Sequence, residues 1–424
     1  MTIRFDAALH DVLEFVRDRR QLELASAGKI VVLRDLYGRL HLATENTLSG
    51  GTDETILNGI RPIAGAFLTN SVLSLAGMMA PQAVFESQDL LPVGDDIWLL
   101  ERGVLGAEWG RPILANEPPS PPRATLYGIK GGVGRSTALC VWARHLAERG
   151  ETVLVVDLDL EAPGVSSMLL PLDAKPDFGV VDWFVEDAVG NADDDLVRQM
   201  TSPSHLAEGT AGKIVVAPCV GSTGSDYIAK LARAYIDVKK DGKLNTVAER
   251  VGSMIDHLER LVEPTIVLVD SRSGIHDLAG IATTRLGATT FLFAAGSRQT
   301  WDAYRLLLRS WARHKQVALT LREQLQVVAA QVPETGRDTY LAEFRQQAYD
   351  LFSETVYEEA APDNDEAFNF DIAAEEAPHF PLPVYWSRIM QGWDPTRDDV
   401  PRQQVEALYG DFLKRATDLV LGEP

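Results

Sequence analysis

The chain has 424 residues, 46% of them hydrophobic and 24% charged, and carries a formal net charge of −21. That length holds two or three domains, or one large domain with an accessory piece. The charge argues against a broad basic surface, and so against nonspecific DNA or anionic-membrane binding by the chain as a whole.

The amino-terminal segment is mixed and charged, with no signal-peptide core. Residues 6–25 carry a helical pattern, and strand-like runs follow at 29–43 and 96–105. Between them, residues 59–80 form the longest apolar stretch. Arg61 and Asn70 interrupt it, so it reads as a buried helix and not as a membrane span. This first segment, 1–115, is expected to be a small accessory α/β domain, and it carries no chemical motif. Residues 116–122 read as an extended linker, because four prolines fall at positions 118, 119, 121 and 122.

The pattern changes after the linker. "ATLYGI", "TVLVVDLD", "KIVVAP", "PTIVLVD", "TTFLFAA" and "LQVVAA" are short, nearly continuous apolar runs, as strands buried on both faces of a parallel sheet require. Helical patterns at 136–150 and 244–262 alternate with them. Residues 123–424 are therefore expected to be a doubly wound α/β domain with a mostly parallel sheet. The tail, 403–422, is an amphipathic helix with apolar positions at 405, 408, 409, 412, 416, 419 and 420, expected to pack on that domain. The acidic stretch 358–378 reads as a solvated loop. Cys140 and Cys219 sit in different segments outside any CxxC pair, which fits a reducing cytoplasm and neither a disulfide scaffold nor a zinc site.

One turn carries the chemistry. "ATLYGI" is a strand, "KGGVG" (130–134) a glycine-rich turn, and "RSTALCVWARHLA" the start of a helix. Glycines let backbone N–H groups crowd around phosphate oxygens, and the helix N-terminus adds free N–H groups and a positive dipole end. Ser136 places a hydroxyl where it can ligate Mg²⁺. Two more strands end in acids, Asp157 with Asp159, and Asp270. Ligands collect at the carboxyl ends of strands in such sheets, so three acids there can hold Mg²⁺ with its waters and orient an attacking water.

"KGGVGRST", "VVDLDLEAPG" and "IVLVDSRSG" resemble the deviant Walker A, switch I and Walker B/switch II regions of ParA/MinD-class P-loop ATPases. The resemblance covers about residues 123–335. It implies an ATP-dependent sandwich dimer with slow, Mg²⁺-dependent hydrolysis. Lys130 matches the lysine that reaches across the dimer to the partner's nucleotide. Gly131, Gly132, Val133 and Gly134 would wrap the phosphates, Ser136 would hold Mg²⁺, and Thr137 would meet the α-phosphate. Asp159 matches the acid that positions the hydrolytic water, and Asp157 and Asp270 would sit in or near the Mg²⁺ shell. Pro333, after the last clear strand, would touch adenine. The sequence departs from the family at Arg135, where the phosphate-loop lysine is usual, and at Ile129, where a strict Walker A has glycine. An arginine keeps the charge and can contact β- and γ-oxygens bidentately. The "KGGVGRS…DLDLEAPG" variant is similar to ParA/MinD-like ATPases of bacterial signalling and conflict proteins.

Four functions remain open on these residues, the thinnest a metabolic synthase of the same superfamily, for which the sequence shows no amidotransferase triad. The leading one is an ATP switch that dimerises and regulates or positions a protein partner through the N-terminal domain. The others are a DNA-partitioning ATPase, against which the charge speaks, and a nucleotide-binding module that does not hydrolyse. Among neighbouring residues, Arg272 could sense the γ-phosphate or pair with an acid. His276, Arg298 and Trp301 read as rim packing.

Overall fold

The six apolar runs after residue 122 all become strands in the computed structural model, which describes residues 3–48, 51–115, 117–222, 226–240, 242–358, 367–397 and 399–422. The chain divides into two compact units, Met1–Arg111 and Pro112–Pro424. No helix among the described residues is long and apolar enough to cross a membrane.

The first unit has strands β1 (Ile30–Arg34), β2 (Leu40–Thr44), β3 (Leu68–Ser74), β4 (Leu90–Gly94) and β5 (Ile97–Glu101) in the order β3-β2-β1-β5-β4. Helices Phe5–Arg19 and Thr52–Ala64 bury Ala8, Val12 and Val16, and Ile56, Ile60 and Ala64, against one face of that sheet. The four-residue spacing puts each set on a single helix face. The stretch 59–80, expected as one buried helix, is not one. The helix stops at Ala64, Gly65 turns the chain at φ 54°, and residues 68–74 form β3 on β2. Gly65, at φ 54° and ψ −126°, holds a conformation that only glycine adopts easily, which ends the helix, and β-branched Thr69 and Val72 suit the strand beyond it.

The second unit contains β6 (Arg123–Gly128), β7 (Thr152–Asp157), β8 (Ser202–Pro203), β9 (Lys213–Ala217), the hairpin β10 (Val238–Lys240) and β11 (Lys243–Asn245), β12 (Ile266–Asp270), β13 (Thr289–Ala294), β14 (Leu325–Val332) and β15 (Leu382–Tyr385). Its main sheet runs β15-β14-β13-β6-β12-β7-β9-β8. All neighbours pair in parallel except β8 on β9. Apolar layers cover both faces, which is why the inner strands show no alternation. On one face Trp142 packs edge-on against Phe291 and Phe412 and donates its Nε1–H to Thr417 Oγ1 at 3.0 Å. Phe412 and Thr417 belong to the tail helix Arg402–Leu421, which packs on the sheet as expected, although Leu419 faces solvent.

The proline segment is stitched to the second unit. Leu114 N–H donates to Arg285 O at 2.9 Å, and Pro122 O accepts from Val267 N–H at 3.0 Å. Asn116 lies outside the described residues, as do 359–366 of the acidic stretch. The flanks of that stretch meet where Glu358 N–H donates to Phe368 O at 3.0 Å.

Candidate functional site

Strand β12 lies between β6 and β7, so the carboxyl end of β12 sits between the glycine loop that follows β6 and the acids that follow β7. The loop turns on Gly132 and Gly134, at φ 75° and 84°, where any side chain would be strained. Gly134 leads directly into the helix Arg135–Glu148, whose first N–H groups face the loop end. At Gly128 the demand is space, because a Cβ there would sit 2.9 Å from Arg135 Nη1.

The strand register pairs Asp157 with Asp270 across β7 and β12. Ser136 Oγ donates to Asp270 Oδ2 at 2.7 Å, a contact spanning 134 residues of sequence. Asp157 accepts from Asp159 N–H at 3.1 Å, from Ser166 N–H at 3.2 Å and from the Ser166 hydroxyl. Asp270 Oδ1 and Asp159 Oδ1 are buried and have no hydrogen-bond partner among the described residues. Burial, then the neighbouring Asp270 charge, pushes the Asp157 carboxyl up to about 7. Burial pushes Asp270 up to about 6, against the pull of Arg135 and Ser136. Asp159 is also raised by burial, with Arg135 opposing. Buried acids that crowd one another and leave oxygens unsatisfied fit a divalent cation, which favours oxygen ligands and lowers their pKa values. Ser136, Asp157 and Asp270 are the residues that would hold it.

Lys130 is exposed on the loop, whereas Arg135 is buried beneath it. Arg135 Nη1 donates to Lys130 O at 3.3 Å and, more weakly, to Gly128 O at 3.5 Å. Its Nη2 stands 3.9 Å from Asp159 Oδ2. The arginine thus joins the glycine loop to the loop after β7.

No protein-family model and no curated protein matches the chain. In structure it is similar to pNOB8 ParA bound to nonspecific DNA (15% identity, 71% of this chain and 97% of that one, TM-score 0.43). It is also similar to a ParA family ATPase from Chlorobium tepidum (13%, 69% and 98%, TM-score 0.42) and to an ATP complex of McdA from Cyanothece (10%, 71% and 96%, TM-score 0.41). The main sheet, parallel except at its β8 edge and followed after β6 by a glycine loop, is that of a doubly wound α/β fold.

The loop after β7 is tied to the loop after β12. Glu161 accepts from Arg272 and from the Tyr235 hydroxyl, and His276 Nε2 lies 3.5 Å away. Tyr227 donates its hydroxyl to Leu160 O one residue earlier. Arg272 thus pairs with an acid, which is one of its two expected roles. Replacing Glu161 by Gln removes the charge that holds Arg272. We expect amide exchange across residues 158–164 to quicken about ten-fold, the scale of one charge-assisted hydrogen bond, as read by mass spectrometry.

A cavity of about 390 Å³ opens beside the glycine loop, lined among others by Val133, Thr137, Gln331, Tyr385, Trp386 and Gln391. Pro333, expected at the base, is not among its lining residues. Arg298 and Trp301 lie on the rim helix as expected, Arg298 exposed beside Asp302 and Trp301 buried on Phe344. Another cavity, of about 420 Å³, is lined by Arg345, Phe380 and Arg415 and holds none of the motif residues. Sequence reasoning missed Ser166, Glu161, Gln331 and Trp386. The first two fall within ten residues of Asp157 and could have been sought there. The other two carry no local motif.

Proposed function

We propose that this protein is an ATP-binding, Mg²⁺-dependent switch that dimerises around the nucleotide, hydrolyses it slowly, and regulates or positions a protein partner through its N-terminal segment in the cytoplasm. The observation that carries the reading is the Ser136–Asp270 hydrogen bond beside a glycine loop, with Asp157 in register and two buried acid oxygens left unsatisfied. Backbone N–H groups of Gly131 to Gly134 and of the helix start would hold the phosphates, with Thr137 at the α-phosphate. Mg²⁺ held by Ser136, Asp157 and Asp270 would neutralise phosphate charge. Asp159 would orient the attacking water. Arg135 would meet β- and γ-oxygens from the near side, and exposed Lys130 would meet the nucleotide of a second subunit.

Mass by light scattering, with and without Mg²⁺–ATP, tests the switch. Wild type should double in mass on ATP, and Lys130→Ala should stay monomeric. A mass that ignores nucleotide in both overturns the dimer reading. Phosphate release that Asp159→Ala abolishes separates an ATPase from a module that only binds. A gel shift at low salt decides whether DNA is a partner.

A further inference from the structure

Strand β14 carries an irregularity where it passes the glycine loop. Ala329 pairs with Pro383 of β15 and Val332 with Tyr385, so three steps on β14 match two on β15. The extra residue is accommodated at Gln331, whose φ is 58°. That left-handed conformation is unfavourable for a side chain with a Cβ, and a glycine or asparagine would adopt it more easily. The six preceding residues of the strand are buried, but Gln331 is exposed. A bulge of this kind re-aims a side chain. Here it sends the Gln331 amide to the phosphate loop, where Nε2 donates to Gly132 O at 2.7 Å across 199 residues of sequence.

We propose that Gln331 is a positioning residue for the phosphate loop: it holds the Gly132 carbonyl and thereby fixes the direction of the Val133 N–H. This rests on the reading of that loop as a phosphate site. In a trans peptide the carbonyl and the N–H of the next residue point in opposite directions. Anchoring the first on Gln331 therefore turns the second away from it. Gly132, itself preceded by Gly131, leaves this peptide weakly restrained on its amino-terminal side, so ordering it before a ligand arrives removes a conformational cost from binding. Strain kept at one residue to hold another is the arrangement expected beside a functional loop.

The test compares wild type, Gln331→Ala and Gln331→Met, the latter keeping side-chain length without the donor. Amide exchange of residues 128–137 in the ligand-free protein reads the anchor itself, and calorimetric titration with Mg²⁺–ATP reads its use. Both variants should exchange faster and bind about five-fold more weakly, the scale of one neutral hydrogen bond. Unfolding midpoints should stay near wild type. Exchange equal to wild type in both variants overturns the proposal. Faster exchange with unchanged affinity overturns the role in binding. Should wild type itself not bind Mg²⁺–ATP, the nucleotide reading fails, and the exchange comparison still decides whether Gln331 orders the loop.

Discussion

Asp270→Asn is expected to stabilise the ligand-free protein at pH 8 by about 2 kcal/mol and to abolish Mg²⁺–ATP binding at the same time. Asp270 is fully buried, and its carboxyl is raised from 3.8 to about 6. A carboxyl raised by folding binds its proton more tightly in the native state, so the native protein loses stability as pH rises. The loss begins near the unfolded value, about pH 4, and is complete above the folded value of about 6. A shift of this size corresponds to about 3 kcal/mol. Asparagine keeps an oxygen for the Ser136 hydroxyl, here 2.7 Å away, and puts a neutral amide where Oδ1 has no partner. It also relieves Asp157, whose carboxyl is raised partly by the Asp270 charge. The gain should vanish near pH 3, below the unfolded value of 3.8, where both carboxyls are largely protonated in folded and unfolded chains alike. Denaturant unfolding followed by tryptophan fluorescence at the two pH values gives the comparison, with Trp142, Trp183, Trp301 and Trp311 as buried reporters in the second unit. An Asp270→Asn variant no more stable than wild type at pH 8 would show that the buried acid is already neutralised without a ligand. A variant that gains stability yet still binds Mg²⁺–ATP would remove Asp270 from the metal site.

What could be read from the sequence follows physical range. The parallel sheet was legible because strands covered on both faces need unbroken apolar runs, and β6, β7 and β12 have them. The glycine loop was legible because its neighbours along the chain, a strand and a helix start, are also its neighbours in space. The convergence of Ser136, Asp157 and Asp270 follows from those runs ending in acids, once β12 lies beside β6 and β7. The stretch 59–80 was misread because its apolar content suits helix and strand equally, and the deciding feature was the backbone turn at Gly65. Gln331 was invisible for a different reason. A left-handed conformation at a glutamine has no residue-type signal, and its partner lies 199 residues away. Glu161 stood next to a motif, but its partners Tyr235, Arg272 and His276 come from two distant segments.

The arginine in the phosphate loop should prove necessary, and lysine should replace it only in part. Arg135→Ala is expected to weaken Mg²⁺–ATP binding by about 100-fold, the scale of two charge-assisted hydrogen bonds lost. Arg135→Lys should stay within about ten-fold of wild type, because it keeps the charge but not the fork. In the ligand-free protein the guanidinium spans two loops, with one nitrogen donating to Lys130 O at 3.3 Å and another 3.9 Å from Asp159. A single ammonium cannot reach both sides at once. Alanine has a further consequence, since Arg135 is the main influence holding the Asp159 carboxyl down against burial. Without that cation the carboxyl rises further, and any step that needs Asp159 ionised shifts to higher pH. The rising limb of the hydrolysis rate against pH should therefore move upward in Arg135→Ala and much less in Arg135→Lys. Titration calorimetry gives the affinities, and phosphate release across pH gives the limb. If alanine binds as tightly as wild type, the guanidinium is a strut beneath the loop, and the phosphate charge is met by the helix N-terminus and the metal. If alanine binds weakly but its limb does not move, Arg135 serves the phosphates without governing Asp159.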